Sequence, residues 1–119
     1  MRNFRELEVW KDSRKLVKDV YLITKSLPET EKYGLTSQIN RCAISIPANI
    51  AEGSAKYSQK DFVRFLQISL GSAYELESHL IICSDLDFIA FDTTSVTIKN
   101  IQVLQKRIAS LIKYNNSKD

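Results

Sequence analysis

The sequence predicts an all-α protein: an up-and-down antiparallel four-helix bundle, folded as one domain over residues 1–119. Three observations lead there. Apolar residues recur at spacings of three and four through four separate segments, the period of a helix with one buried face. Glycine occurs only 3 times and proline only 2 times, too seldom for the repeated turns of an all-β chain. The connections between the periodic segments are short, which makes consecutive helices antiparallel neighbours. A chain of 119 residues buries roughly two-thirds of its unfolded surface, enough for one core.

The first helix is expected over residues 7–26. Val9, Trp10, Leu16, Val17, Val20, Tyr21 and Ile23 fall in one wide arc at 100° per residue, while Glu8, Lys11, Arg14, Lys15, Lys18, Asp19 and Lys25 fall outside it. Leu27-Pro28 ends the helix, because a residue before proline is pushed out of the α region. Phe4 and Leu7 are expected to pack beneath its first turn.

The second helix runs from about Leu35 to Gly53, with Leu35, Ile39, Cys42, Ala43, Ile46 and Ile50 on one face. Gly34 and Gly53 read as punctuation at its two ends. Pro47 lies inside, at a cost of about 3 kcal/mol in a helix interior, so a kink near Ala43–Ile46 is expected. Ala43, Ala48, Ala51 and Gly53 let another backbone approach closely. Asn49 and Glu52 are placed to satisfy backbone groups freed near Pro47 or at the helix ends, or to pair with Arg41 or a neighbouring subunit; the functional alternative is that Asn49, Glu52, Glu75 and Glu77 line the central opening of an oligomer.

Ser58-Gln59-Lys60-Asp61 resembles a capping box with Asp in place of Glu, so the third helix starts there and extends to about Asp85. Its stripe is Phe62, Phe65, Leu66, Ser69, Ala73, Leu76, Leu80 and Cys83, widened on one side by Val63, Leu70 and Ile81. The small residues Gly71-Ser72-Ala73 are expected to face the region around Pro47. Glu77 borders the stripe and is expected to be more buried than Glu75. After an apolar connection over 86–91, Asp92-Thr93-Thr94-Ser95 offers several N-caps for a fourth helix reaching Tyr114, with Ile98, Ile101, Leu104, Ile108, Leu111 and Ile112 inward.

The net charge of +3 is unevenly spread. Residues 1–27 carry +3, residues 28–57 carry 0, residues 58–89 carry −3 and residues 90–119 carry +3. Lys11, Lys18 and Lys25 repeat every seven residues on the first helix, and Lys99, Lys106 and Lys113 do so on the fourth. Heptad spacing holds each row on one face, about 10 Å between charges. With Arg14, Lys15 and Arg107 added, the two helices are candidates for a basic strip suited to nucleic-acid phosphates. No aromatic residue interleaves with the lysines as a stacking platform would require.

Gly34-Leu35 with Gln38 and Arg41, the run Ser45-Ile46-Pro47-Ala48-Asn49-Ile50-Ala51-Glu52-Gly53, Phe62 with Phe65-Leu66, and Gly71-Ser72 with Glu75-Leu76-Glu77 together carry a resemblance. Leu7 with Val9-Trp10 and Asp87-Phe88-Ile89 extend it over almost the whole chain. The sequence resembles the four-helix-bundle proteins named for intervening sequences in bacterial 23S rRNA genes. The resemblance implies the bundle that periodicity already favours, and in addition a homopentameric ring. A related branch, the accessory variability determinants of diversity-generating retroelements, comprises basic pentamers that bind nucleic acid and a reverse transcriptase. The ribosomal label reflects gene location, and most members have no established activity.

Catalysis, metal binding and cofactors are not expected. A di-iron bundle needs two Glu-x-x-His pairs, whereas His79 is the sole histidine and position 76 is Leu76. No nucleophile is paired with His79 in the sequence, no phosphate-binding glycine loop is present, and Cys42 and Cys83 have neither a CxxC partner nor a nearby histidine. Without an apolar run of roughly 20 residues or a signal-peptide core, a soluble, cytoplasmic protein is expected. Two functions fit: an oligomer that binds RNA or DNA through its lysine rows, or a homo-oligomeric interaction scaffold that buries acidic helix 3 against a basic helix of the next copy.

Overall fold

A computed structural model describes residues 2–117. Four helices make up the body: α1 (Glu8–Thr24), α2 (Leu35–Ser54), α3 (Gln59–Asp85) and α4 (Phe91–Asn116). Single 3-10 turns at Phe4–Glu6 and Glu29–Glu31 precede α1 and α2. Each helix packs against its two neighbours in the order α1–α2–α3–α4–α1. That is the up-and-down arrangement, drawn out to 46 × 23 × 19 Å. The α2–α3 interface is the most extensive and α1–α4 the least.

The stripes close into one core. Ile39, Cys42, Ala43, Ile46 and Ile50 of α2 are buried, as are Phe62, Phe65, Leu66, Ser69, Ala73, Leu76, Leu80 and Cys83 of α3. Val9, Leu16, Val20 and Ile23 come from α1, and Ile101, Leu104 and Ile108 from α4. Trp10, which the periodicity turns inward, is only partly buried and stacks edge-on against Phe4, 4.9 Å between ring centroids. Tyr21 is exposed. At the end of the bundle where α1 begins, Arg2 fixes the N-terminal segment: it donates to Lys56 O at 2.8 Å and lies 4.1 Å over the Phe62 ring.

Helix α2 runs unbroken through Pro47, and the expected kink is not confirmed. Proline removes the N–H that would bond Ala43 O. The turn around it is tied elsewhere: Asn49 Nδ2 donates to Ser45 O at 2.8 Å and to Ser45 Oγ at 2.9 Å. From α3, Ser69 Oγ donates to Ile46 O at 2.9 Å, and the Ser72 and Ser45 hydroxyls lie 2.9 Å apart. Ser69 and Ser72 thus face the proline region, whereas Gly71 is exposed and a Cβ built there meets nothing within 4 Å.

Gly53 is the penultimate residue of α2, one residue short of the end at Ser54, and a Cβ on it would come 2.7 Å from Phe65 Cβ; the missing side chain serves the expected close approach to α3. One boundary reading is corrected. Helix α4 starts at Phe91 with Ala90 as N-cap, so the polar run over 92–95 forms its first turn. Thr94 Oγ1 bonds Ala90 O at 3.0 Å from within the helix, the alternative use of a hydroxyl that also suits a cap. Ser58 caps α3 as expected, accepting from Asp61 N at 3.0 Å. Helix α3 ends in a Schellman arrangement, with Phe88 N bonding Cys83 O at 2.9 Å and Asp87 N bonding Ser84 O at 3.0 Å. Asp87 takes the left-handed position, φ 60°.

Candidate nucleic-acid interface

Charge on α1 is organised by helical period. Lys11, Arg14, Lys15 and Lys18 are all exposed and line one surface groove of about 870 Å³, together with Arg5, Glu8, Trp10 and Asp12. The guanidinium of Arg14 sits 5.5 Å from the Trp10 ring centroid, a cation–π distance. Five cations face two carboxylates in this groove, and Glu8 holds Lys11 at 3.5 Å.

Helix α4 contributes in part. Lys106 and Arg107 line a second groove with Leu7, Glu8 and Val9 at the start of α1. Arg107 is ion-paired with Asp12 across the α1–α4 seam, so its charge is already compensated. Lys15 and Arg107 also share the seam farther along with Asp12 and Asp19. Lys99 lies instead in a groove between α3 and α4, beside Ile81, Asp85 and Phe91. Lys25 follows the last turn of α1, and Lys113 is exposed in the last turn of α4. The basic residues of the two helices therefore come together at Lys15 and Arg107, which line one groove, whereas Lys99 lines another between α3 and α4.

The polar residues of the central motif divide. Asn49 braces the Pro47 turn, as described above. Arg41 and Glu52 are exposed and make no side-chain hydrogen bond or ion pair with one another; eleven residues along one helix put them about 16 Å apart. Glu77 is half-buried and accepts from Gln105 Nε2 at 2.8 Å and Gln102 Nε2 at 3.1 Å, tying α3 to α4. Glu75 is exposed and lies 3.2 Å from His79 Nε2. Its carboxyl is lowered from its ordinary value, first by a hydrogen bond from the Cys42 thiol and then by one from His79.

The model of the 23S rRNA-intervening sequence protein family matches residues 5–110. The chain belongs to this family. Among solved structures it is similar to a Bacteroides thetaiotaomicron protein of unknown function from the S23 ribosomal protein family, with 27% identity and a TM-score of 0.82. The likeness covers 88% of this chain and 98% of that one. None of the curated proteins matches it. No helix among the described residues is long and apolar enough to cross a membrane.

Three features of this family member escape a linear reading. Trp10 does stand among the basic residues: it lines the same groove, with Arg14 over its ring. Gln105 is buried on the inward stripe of α4, four residues after Ile101 and three before Ile108, where its polar side chain hid a position that spacing alone turns inward. Cys42 lies against Glu75 and His79, correcting the expectation that neither cysteine has a histidine nearby. Burial, then the Glu75 carboxylate, pushes that thiol up to about 12. Cys83 is wholly buried and also raised, chiefly by burial.

Proposed function

We propose that this protein is a non-enzymatic homo-oligomer that binds RNA or DNA through the basic surface of α1 and the adjoining part of α4, without sequence preference. The observation that carries the reading is the groove in which Arg5, Lys11, Arg14, Lys15 and Lys18 surround the half-open ring of Trp10. Several exposed cations can displace condensed counterions from a phosphate backbone, and a ring among them offers a base a stacking face. Charge at fixed spacing along a helix reads a backbone and carries no base-edge code.

A ring of identical subunits would repeat this surface and multiply weak contacts through effective concentration. Exposed Ile81, Ile82, Leu86 and Phe91 near the α3–α4 turn support self-association, since a contiguous apolar patch of this kind favours burial. The same patch favours the second reading, an interaction scaffold without nucleic acid, and the five-fold ring implied by the family resemblance suits both.

Fluorescence anisotropy with mixed-sequence single-stranded RNA and DNA at about 50 mM salt tests the proposal. Binding is expected, and Lys11→Gln, Lys15→Gln and Lys18→Gln together should weaken it strongly, with Arg5 and Arg14 left to hold the remainder, while native mass stays unchanged. Absence of binding in the parent protein refutes the nucleic-acid reading and leaves the scaffold.

A further inference from the structure

Outside the basic surface, α2 and α3 bring together a set of side chains with metal-ligand chemistry. Cys42 comes from the middle of α2, and Glu75 and His79 stand one turn apart on α3. One ligand atom from each, a sulfur, a carboxylate oxygen and an imidazole nitrogen, lies within 4.8 Å of the other two. We propose that these three residues form a binding site for a zinc-type divalent transition-metal ion that braces α2 against α3.

A second observation points the same way. His79 Nδ1 is buried and has no hydrogen-bond partner among the described residues. An unsatisfied buried polar atom is destabilising, and most native structures avoid it. A neutral His79 that donates Nε2–H to Glu75 carries its lone pair on Nδ1, the nitrogen left without a partner. Metal-bound histidines are commonly held in this way, with the second ring nitrogen on a carboxylate. At the metal Glu75 supplies a carboxylate oxygen, so that Cys42, Glu75 and one imidazole nitrogen of His79 are the three protein ligands.

The donor set selects the ion. Thiolate with imidazole suits zinc and its neighbours, whereas calcium and magnesium need six or more oxygens and find at most one carboxylate here. Tetrahedral bonds of 2.0–2.3 Å set neighbouring ligand atoms about 3.5 Å apart. The three atoms thus need to close by about 1 Å, a movement within reach of the exposed Glu75 side chain and a rotamer change at His79. Three protein ligands leave the fourth position to water or another donor. Binding forms the metal–sulfur bond and releases the thiol proton to solvent, and no electron is transferred. In the metal-free protein the raised thiol holds that proton tightly, so the ion competes with it and affinity falls with acidity. The charged groups that face the thiol are Glu75 from α3 and Arg41 from its own helix.

The test uses the full chain stripped with a chelator and titrated with Co²⁺, then with Zn²⁺ in competition against a chromophoric chelator. The expected result is one ion per chain, a sulfur-to-cobalt charge-transfer band, and four-coordinate visible bands that Zn²⁺ bleaches. Cys42→Ser should remove the charge-transfer band, and His79→Gln should weaken Zn²⁺ binding by more than about tenfold. Cys83→Ser should leave both unchanged. Circular dichroism checks folding, and Glu75→Gln, at an exposed position, gives a third variant should Cys42→Ser unfold. No charge-transfer band in the parent protein, or Zn²⁺ binding equal in parent and His79→Gln, overturns the proposal.

Discussion

Gly53 and Gly71 lie in adjacent helices, and the same substitution at each should change stability in opposite directions. Intrinsic propensity alone favours alanine over glycine in a helix interior by about 1 kcal/mol, so it predicts that Gly53→Ala and Gly71→Ala both stabilise. At Gly71 nothing lies within 4 Å of the new Cβ, and that gain should appear in full. At Gly53 the Cβ would sit 2.7 Å from Phe65 Cβ, 3.3 Å from Phe62 Cδ1 and 3.4 Å from Phe62 O. Phe65 Cβ is fixed to the α3 backbone, so no rotamer relieves the clash; relief to van der Waals contact needs α2 and α3 to part by about 1 Å. Overpacking of this kind typically costs about 1–3 kcal/mol, and the shift also disturbs the Ser69–Ile46 bond and the Ser45–Ser72 contact in the same interface. The net expectation for Gly53→Ala is a loss of about 1–2 kcal/mol. For a chain of 119 residues, 1 kcal/mol corresponds to about 4 °C in Tm. Thermal and urea unfolding at one protein concentration provide the assay, because self-association would make Tm concentration-dependent. A Gly53→Ala variant as stable as Gly71→Ala would refute the close-approach account of α2–α3 packing.

Other outcomes follow from particular residues. Asp87 holds a left-handed φ that glycine adopts without a steric penalty, so Asp87→Gly should raise stability by roughly 0.5 kcal/mol in urea unfolding; a loss would mean that its side chain contributes to the turn. Replacing Lys99, Lys106 and Lys113 together with glutamine should leave the native mass of the oligomer unchanged, whereas dissociation would favour the scaffold, with α4 packed on the acidic α3 of the next copy. The Cys83 thiol is raised above its ordinary value of 9.0 by burial and by the charge of Glu31. Its neutral form is therefore favoured in the native state, and stability present below that pH is lost as the pH climbs past it. Between about pH 8 and pH 10 the parent protein should lose more stability than Cys83→Ala, and equal losses would contradict the burial account.

The buried faces of α2 and α3 were readable because apolar identity and a period of 3.6 agree there, from Ile39 to Ile50 and from Phe62 to Cys83. Buried polar positions were harder. Ser69 was found because it lay on the stripe, but Ser13, Thr24, Thr97, Gln105 and Asn115 are buried through hydrogen bonds and packing that hydropathy does not register. Gly53 was legible as a residue of the helix end and of close approach, but which helix approaches it, and that Phe65 fills the space, is set by the packing of α3. The cap of α4 was misplaced because a threonine hydroxyl serves equally well as a cap or bonded back to the preceding turn. The cations of both helices were visible in the sequence, yet the compensation of Arg107 on α4 by Asp12 on α1 depends on how α4 lies across α1. The meeting of Cys42 with His79 is a tertiary event between two helices, and no local pattern encodes it.

The central claim is that the α1 surface holds phosphates, and the salt dependence of affinity measures it most directly. Binding of single-stranded RNA should weaken linearly on a log–log plot against salt, with a slope of about −0.7 for each phosphate contacted. Removing the Lys11, Lys15 and Lys18 charges should shallow that slope by about 2 units. A slope unchanged by those substitutions would contradict the assignment of the binding surface to α1.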